Sequence, residues 1–564
     1  MEKRMTGIEE STDLRDRSDS DSSLSGETES KSDLNKLSST LDSIGYGFFH
    51  IILTLVSGWA LASDSVEILC ISFISPAAEH DLYLSKKKEG WLDASIFIGM
   101  MIGGYFWGGW ADAVGRRTCL LNSLMLNGCA GLVSAFMPSY GWFLTFRIFS
   151  GIGVGGSIPV IFSYFSEFFS NKKRGPFIVI LSMFWTVGQV YTALLAWLVI
   201  PRGCIEFRLF GLDFHNWRVF AMLCTIPSLS SALFLFLLPE SPSFLLLMKK
   251  QKRLSKALST VSRINSLCYG RRKPAGSFIE IDISKEEEHL SFSKRGGTLD
   301  STVKGALRDA GMKVVYIFNT TKKLFSKEFI RRTVVLVIIM FTLSYGYYGL
   351  QLWFPEYFKH VIDENKPKNS TDDDDYNNCT NTDVKPYKDS LYEATASVPG
   401  NFLGVVVINI IGGKLLLTGS MLTSGISVFF IWWVKATEDV VIILSCVFNG
   451  VSIAGWNALN VLNASSFPTE LRSTAMGFQA AVGRIAAIGG IVTFGSFYNS
   501  SPTLPILIVA VCLFTGGICT MALPAVSKAD KHNFIVRGTN RLCSCVIVNV
   551  FGINKPYRSS YTKL

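Results

Sequence analysis

The sequence predicts an all-α membrane protein of about twelve transmembrane helices in two related six-helix halves. Three observations carry that prediction. The 564-residue chain is 49% hydrophobic and only 17% charged, too little charge to cover soluble cores of that size, so apolar surface must face lipid. Long apolar runs fall into two groups of six, near 47–74, 91–110, 118–137, 143–166, 176–200 and 218–238, then near 333–354, 394–416, 419–434, 440–463, 475–496 and 504–524. Finally, two stretches recur at an offset of roughly 298 residues.

A polar arm, residues 1–43, precedes the first run; its Ser, Asp and Glu content cannot offset the entropy of ordering, and disorder is expected there. With no cleavable apolar segment ahead of it, the first span reads as an uncleaved signal anchor, which places the amino terminus in the cytoplasm. Lys and Arg resist translocation, and their placement agrees. Arg116, Arg117, Lys172, Lys173, Arg174 and the run from Lys249 to Arg253 fall on the same side as the polar central segment, 243–332, and the basic tail, 525–564. The halves are then 44–242 and 333–524. The loop at about 356–392 falls on the other, lumenal side, is acidic at Asp372–Asp375, and carries glycosylation sequons at Asn369 and Asn378. The net charge of +10 therefore reflects topology, and no nucleic acid is expected as a partner.

The chain holds 12 cysteines and 6 histidines without ligand spacing, so neither a metal nor a cofactor is expected. Most cysteines lie in spans, where the side chain simply packs. A bridge between Cys204 and Cys379, the two in lumenal loops, stays open. Gly151 to Gly156 fits a dinucleotide fingerprint, but it lies inside an apolar span with no strand ahead of it, where small residues let helices approach. No enzyme motif stands in its proper context, and no covalent chemistry is expected.

The recurring stretches place the same motif at the same point of each half. Gly108-Gly109-Trp110-Ala111-Asp112-Ala113-Val114-Gly115-Arg116-Arg117 faces Asn409-Ile410-Ile411-Gly412-Gly413-Lys414. Arg147 to Gly151, with Glu167 and Arg174, faces Cys446 to Gly450 with Glu470 and Arg472. A parallel duplication of this kind puts a cavity between the halves near the bilayer midplane. Glycines permit tight turns between close helices, and Gly108, Asp112, Gly115, Arg116, Arg117, Glu167, Arg174, Glu470 and Arg472 form a candidate cytoplasmic gate of charge pairs.

These motifs, with Pro239-Glu240-Ser241-Pro242 and Pro468 to Ser473, resemble the signatures of the major facilitator superfamily in its sugar and organic-ion branch. Gly155 to Phe168, Tyr347-Tyr348-Gly349-Leu350 with Trp353-Phe354-Pro355, and Gly450 to Ala454 with Trp456-Asn457-Ala458-Leu459 resemble the synaptic vesicle glycoprotein 2 family. The resemblance implies the major facilitator fold and a glycosylated, transporter-shaped protein of synaptic or secretory vesicles, linked in that family to regulated exocytosis. The sequence departs from the family in its short lumenal loop, in Asn409 and Gly413 where the repeat expects Asp and Arg, in Ser243 where Arg is usual, and in Asn460 where the family shows aspartate.

Intramembrane charge is costly and by default marks a cavity or partner. Asp64 and Glu67, three apart on one helix face, are candidates for binding a cation or proton; alternatively Glu67 reaches headgroups and only Asp64 is buried. Arg484, near the middle of the eleventh span, is a candidate partner for an anionic solute or for a carboxylate of the other half. Trp185, Tyr347, Tyr348 and Trp456, beside Asn457 and Asn460, suit the stacking wall of a solute cavity. Tyr561 and Leu564 have the form read by endocytic adaptors. Cys543 and Cys545 near the bilayer are candidates for palmitoylation or plain thiols. Two functions follow: a carrier moving a small organic ion or sugar-like solute by alternating access, or a transporter-shaped vesicle protein that regulates exocytosis or trafficking without transport. The expected partners are the bilayer, the solute, a proton or cation, and an adaptor at the tail.

Overall fold

In a computed structural model the described residues are 36–170, 174–201, 207–209, 212–248, 250–266, 321–365, 384–433, 438–467, 469–497 and 503–523. The sequons Asn369 and Asn378, the tail motif Tyr561 and Leu564, Cys204, Cys379, and the side chains of Asp112, Asn409, Glu470 and Arg472 lie outside them.

The first half comprises α1 (36–44), α2 (Phe48–Ala77), α3 (Lys86–Val114), α4 (Arg116–Ser134), α5 (Tyr140–Ser166), α6 (Arg174–Val199), α7 (Asn216–Cys224) and α8 (Ile226–Leu235). Two short helices follow, α9 (Pro242–Leu247) and α10 (Gln251–Ser266). The second half comprises α11 (Ile330–Gln351), α12 (Phe354–Asn365), α13 (Lys385–Ile411), α14 (Gly413–Trp433), α15 (Glu438–Ser466), α16 (Thr469–Phe497) and α17 (Thr503–Met521). An exception to the all-helical plan is the small two-stranded antiparallel ribbon β1 (Phe207–Leu209) and β2 (Leu212–Phe214).

Ten described helical segments are long and apolar enough to cross a bilayer. The expected second and third spans are present as α3 and α4 but do not meet that test: Lys86, Lys87, Lys88, Glu89, Asp93 and Asp112 punctuate α3, and Arg116, Arg117, Asn122 and Asn127 punctuate α4. The sixth span, read over 218–238, is met by one membrane-length segment, Asn216–Leu235, interrupted for one residue at Thr225 between α7 and α8, because Pro227 has no N–H for the ladder. Two expectations are corrected. The loop read at 356–392 is helical at both ends, where α12 runs to Asn365 and α13 starts at Lys385, so Glu393 lies two turns inside a helix. In place of the disorder expected through residue 43, residues 36–44 form α1: Leu37 and Leu41 share one face of it and bury against Phe244, Leu245, Leu254 and Leu258 of α9 and α10.

The duplication is visible in backbone detail. Gly115 ends α3 at φ +119° and Gly412 ends α13 at φ +87°, a region that favours glycine. In the first half Arg117 donates through Nε and Nη2 to the carbonyls of Leu235 and Phe236 at the end of α8. In the second, Lys414 Nζ donates to the carbonyls of Met521 and Leu523 at the end of α17. Each cation thus satisfies the free carbonyls that close its half. Close helix crossings repeat too: a Cβ at Gly103 would lie 2.1 Å from the Ile152 carbonyl oxygen, and one at Gly400 would lie 2.1 Å from that of Gly450. The glycine run at 151–156 is accordingly a packing seam between α3 and α5.

The halves meet through α3 against α16 and α6 against α13. Contact is tight at the end marked by Lys86. Gly90 and Gly495 abut so closely that a Cβ at Gly495 would lie 2.8 Å from the Lys86 carbonyl oxygen and 3.0 Å from the Gly90 Cα. Lys86 Nζ of the first half lies 2.8 Å from Glu356 Oε1 of the second.

Candidate functional site

Between the halves, α2 and α5 bring one set of charges together, and α6, α11, α15 and α16 supply an aromatic wall. Asp64 is fully buried; the Ser157 hydroxyl sits 2.7 Å from each of its carboxylate oxygens. Glu67, one turn on, is 2% exposed, so the headgroup alternative is excluded. Its Oε1 takes Arg147 Nη1 at 2.7 Å and lies 2.5 Å from the Ser150 hydroxyl. Arg147 is itself fully buried and also reaches Cys70 Sγ at 3.3 Å. Burial of this kind requires pairing, since a lone charge here would carry the full desolvation penalty. Gly131 leaves the room: a Cβ there would stand 3.4 Å from Glu67 Oε2.

Three of the four aromatics expected in the wall lie against one another. Tyr347, Tyr348 and Trp456 form a triangle with ring centroids 5.3, 5.9 and 6.1 Å apart. Trp185 packs at the meeting point of both halves, among the residues of three core clusters. Arg484 enters from α16 and stands 6.0 Å from the Phe97 ring of the first half, which packs on the Tyr348 ring at 4.9 Å. No ion pair between Arg484 and a carboxylate forms within 4 Å among the described residues. Asn457 Nδ2 donates to Asn401 Oδ1 at 2.8 Å, and Asn401 Nδ2 donates to Thr186 Oγ1 at 2.9 Å, which ties α15 and α13 to α6. Asn460 is not brought in: it is exposed, one turn beyond Trp456 and away from this chain of amides.

Hydrogen-bond accounting gives the wall its chemistry. The Trp456 indole N–H is buried without an acceptor. With the Arg484 guanidinium over Phe97 on the facing half, the site offers donors, while Asp64 offers a carboxyl. Such a wall fits a small polar solute rich in acceptor oxygens.

The gate motif folds into a network inside the first half. Arg116 Nε lies 3.3 Å from Glu167 Oε1 and its guanidinium covers the Phe244 ring at 5.3 Å. The Ser163 hydroxyl donates to Glu167 Oε1 at 3.1 Å, and the Ser241 hydroxyl donates to Glu167 Oε2. Glu240 Oε1 accepts the backbone N–H groups of Arg117 at 2.8 Å and Ser241 at 3.0 Å. Burial lowers the pKa of Arg174, with the Glu167 charge opposing. Gly108 is exposed near the end of α3. The sequence reading missed Arg147 and Glu393 as site candidates. Arg147 was in plain view, an arginine inside an apolar run, and the same rule that singled out Arg484 would have found it.

With that geometry in place, comparison with known proteins decides the lineage. Mouse (Mus musculus) synaptic vesicle glycoprotein 2C is 31% identical over 600 residues, spanning 88% of this chain and 82% of the relative. Rat (Rattus norvegicus) synaptic vesicle glycoprotein 2A is 32% identical, spanning 88% and 81%. The chain belongs to the synaptic vesicle glycoprotein 2 family. A family model described as sugar (and other) transporter matches residues 48–289. Among solved structures, the partially occluded inward-open xylose transporter XylE from E. coli superposes with a TM-score of 0.62 at 17% identity, covering 85% of this chain and 98% of that one. The crystal structure of a D-xylose–proton symporter gives 0.59 at 17% identity, with coverage of 86% and 99%. These establish the major facilitator fold. A synaptic vesicle glycoprotein 2 relative with this fold is a transporter-like, multi-pass membrane protein.

Proposed function

We propose that this chain carries a small polar organic solute, sugar-like or ionic, across a vesicle membrane by rocking its two halves about the Tyr347–Trp456–Arg484 wall. The observation that carries this reading is the position of Arg484: a cation on the second half that stands over Phe97 of the first, beside the aromatic wall, and has no carboxylate within ion-pairing distance among the described residues. An acceptor-rich solute would complete that arrangement, and its binding would favour whichever state closes both halves on it. Asp64, Glu67, Trp185 and Asn457 complete the site in this reading, and a proton or cation accompanies the solute, as a proton does in the structurally similar D-xylose–proton symporter. The basic residues Arg116, Arg117, Arg174, Lys250, Lys252 and Arg253 cluster at one end, which the positive-inside rule assigns to the cytoplasm together with both termini. The Lys86–Glu356 end is then lumenal and closed, and the Arg116–Glu167 network steadies the cytoplasmic edge of the first half with Gly108, Asp112 and Gly115. Glu470 and Arg472 have the corresponding role in the second half, Asn369 and Asn378 take glycans, and Tyr561 with Leu564 recruits an adaptor. The vesicle is synaptic or secretory, as the relatives' name implies.

Uptake of labelled pentoses, hexoses and organic anions into proteoliposomes tests the proposal, with and without an inward proton or sodium gradient. Movement of one solute class, lost in Arg484→Ala and Asp64→Asn, is the expected result. Binding without movement under every gradient would overturn the carrier reading.

A further inference from the structure

One buried carboxyl serves neither the Arg147 pair nor the aromatic wall. Glu393, on α13, is 3% exposed and lines a cavity of about 10 Å³ at the junction of the halves, with Ser72 of α2, Gln189 of α6, Gln351 of α11 and Ser390 of its own helix. A space of that size admits a single water-sized guest.

The polar atoms around it share one character. Glu393 Oε2 accepts from Gln351 Nε2 at 3.2 Å, which fixes the Gln351 amide with its oxygen free. Gln189 Nε2 donates to the Tyr347 hydroxyl at 2.8 Å, and that hydroxyl donates to Asn449 Oδ1 at 3.4 Å, so the Gln189 oxygen is also fixed and free. Glu393 Oε1, Gln351 Oε1 and Gln189 Oε1 are buried with no partner. Both serines spend their protons on their own helices, Ser72 on the Leu69 carbonyl and Ser390 on that of Pro386. The described lining therefore leaves only acceptors free, and the adjacent amide donor, Asn449 Nδ2, is spent on the Glu393 backbone carbonyl at 3.1 Å. Three buried acceptors without donors cost free energy, and the complement they ask for is a donor that needs no acceptor in return.

We propose that Glu393, Gln189 and Gln351 form a site for one small monovalent cation, a proton or a sodium ion, held between the two halves. One carboxylate balances a single positive charge; a divalent ion would leave an excess charge in a low-dielectric interior. The donor set is hard oxygen, which suits sodium and excludes thiophilic metals. Its titratable neighbours are Tyr347 from α11, Cys446 from α15 and Asp389 one turn back on α13. From α12, Glu356 follows the lining residue Pro355 and is held by Lys86. The lining from α2 and α6 carries no charged side chain, and no basic group among the described residues acts on Glu393. Because Gln189 belongs to the first half and Glu393 and Gln351 to the second, an occupant binds best when the lumenal end is closed. The coupling consequence rests on the alternating-access reading; the site itself does not.

Thermal unfolding of the purified full-length chain, followed by intrinsic tryptophan fluorescence, tests it in wild type and Glu393→Gln. Sodium chloride is titrated against choline chloride at fixed pH in one arm, and pH is varied without sodium in the other. For a sodium site, the midpoint rises with sodium in wild type and the rise is lost in the variant. For a proton site, sodium has no effect, acidification raises the midpoint more in wild type than in the variant, and the infrared spectrum shows a protonated carboxyl band that the variant lacks. Equal responses of wild type and variant in both arms, with no carboxyl band lost, overturn the proposal. Should Glu393→Gln fail to fold, Gln189→Met removes one acceptor from the opposite half; an unchanged ion response there also overturns it. Cation binding in a chain that moves no solute would refute the carrier reading and leave this site standing.

Discussion

Arg147 and Glu67 form an ion pair of 2.7 Å in which both side chains are almost wholly removed from solvent, at 1% and 3% exposure. Glu67 also receives Ser150, and Ser150 lies 2.8 Å from Asn127 Oδ1, so α2, α4 and α5 are joined through one carboxylate. Removing one partner strands the other. Arg147→Met is expected to destabilise the chain by about 3–5 kcal/mol, and Arg147→Met with Glu67→Gln to recover most of that loss. Thermal or denaturant unfolding of the purified variants measures both; equal losses in the single and double variants would show that the pair is not the unit that matters.

Glu89, just ahead of the second apolar run, faces a crowded neighbourhood: Lys86 Nζ contacts Glu89, Glu356 and Glu79 at 3.0, 2.8 and 3.3 Å. Burial raises the Glu89 pKa from its ordinary 4.5 to about 7, with Glu356 and Glu79 adding to the rise and Lys86 opposing it. The folded chain therefore holds a proton there that the unfolded chain releases. Stability from this group is full below the ordinary value and falls as pH rises through the interval up to about 7. Glu89→Gln should flatten the decline in unfolding midpoint across that interval. A variant with the wild-type pH slope would contradict the assignment.

How far the sequence disclosed this depended on which force set each feature. Apolar length and period set the helices, so ten spans are legible in composition alone. Short-range signals mislead where tertiary packing overrides them. Leu37 and Leu41 sit in an arm too polar to fold by itself, and only α9 and α10 give them a surface to bury. Glu393 was hidden by a boundary: hydropathy starts the eighth span near residue 394, whereas the helix begins at Lys385. The aromatic triangle was legible through motif resemblance, but the free Trp456 N–H and the cross-half reach of Arg484 are distances between segments far apart in sequence. Periodicity carries no such information.

Gly90 and Gly495 form a close backbone crossing between the halves at the Lys86 end. A Cβ at Gly495 meets backbone at 2.8 and 3.0 Å, and backbone cannot step aside as a flexible side chain can. Gly495→Leu is expected to hold this end open, and a cysteine placed at Gln189 should become reactive to a membrane-impermeant maleimide applied from that side. Labelling no faster than in the Gln189→Cys parent would refute the closure ascribed to this contact.

Glu167 joins three separate segments at the opposite end, through Arg116 from the start of α4, Ser163 from its own helix, and Ser241 from the cap of α9. Glu240 accepts from Arg117 and Ser241 beside it. Since Arg116 and Glu167 are 16% and 14% exposed, water screens the pair only in part, and a loss between the surface and buried extremes, about 1–3 kcal/mol, is expected for Glu167→Gln. Gly115→Ala attacks the same junction by another route. Its φ of +119° disfavours any side chain, and the added Cβ would stand 2.6 Å from Glu240 Oε2. If the network holds the α3–α4 turn against α9, both variants should speed proteolysis within 236–250 in detergent-solubilised protein while leaving the second half intact. Selective cutting in the second half, or no change in either, would mean that Glu167 and Gly115 do not act on a common element.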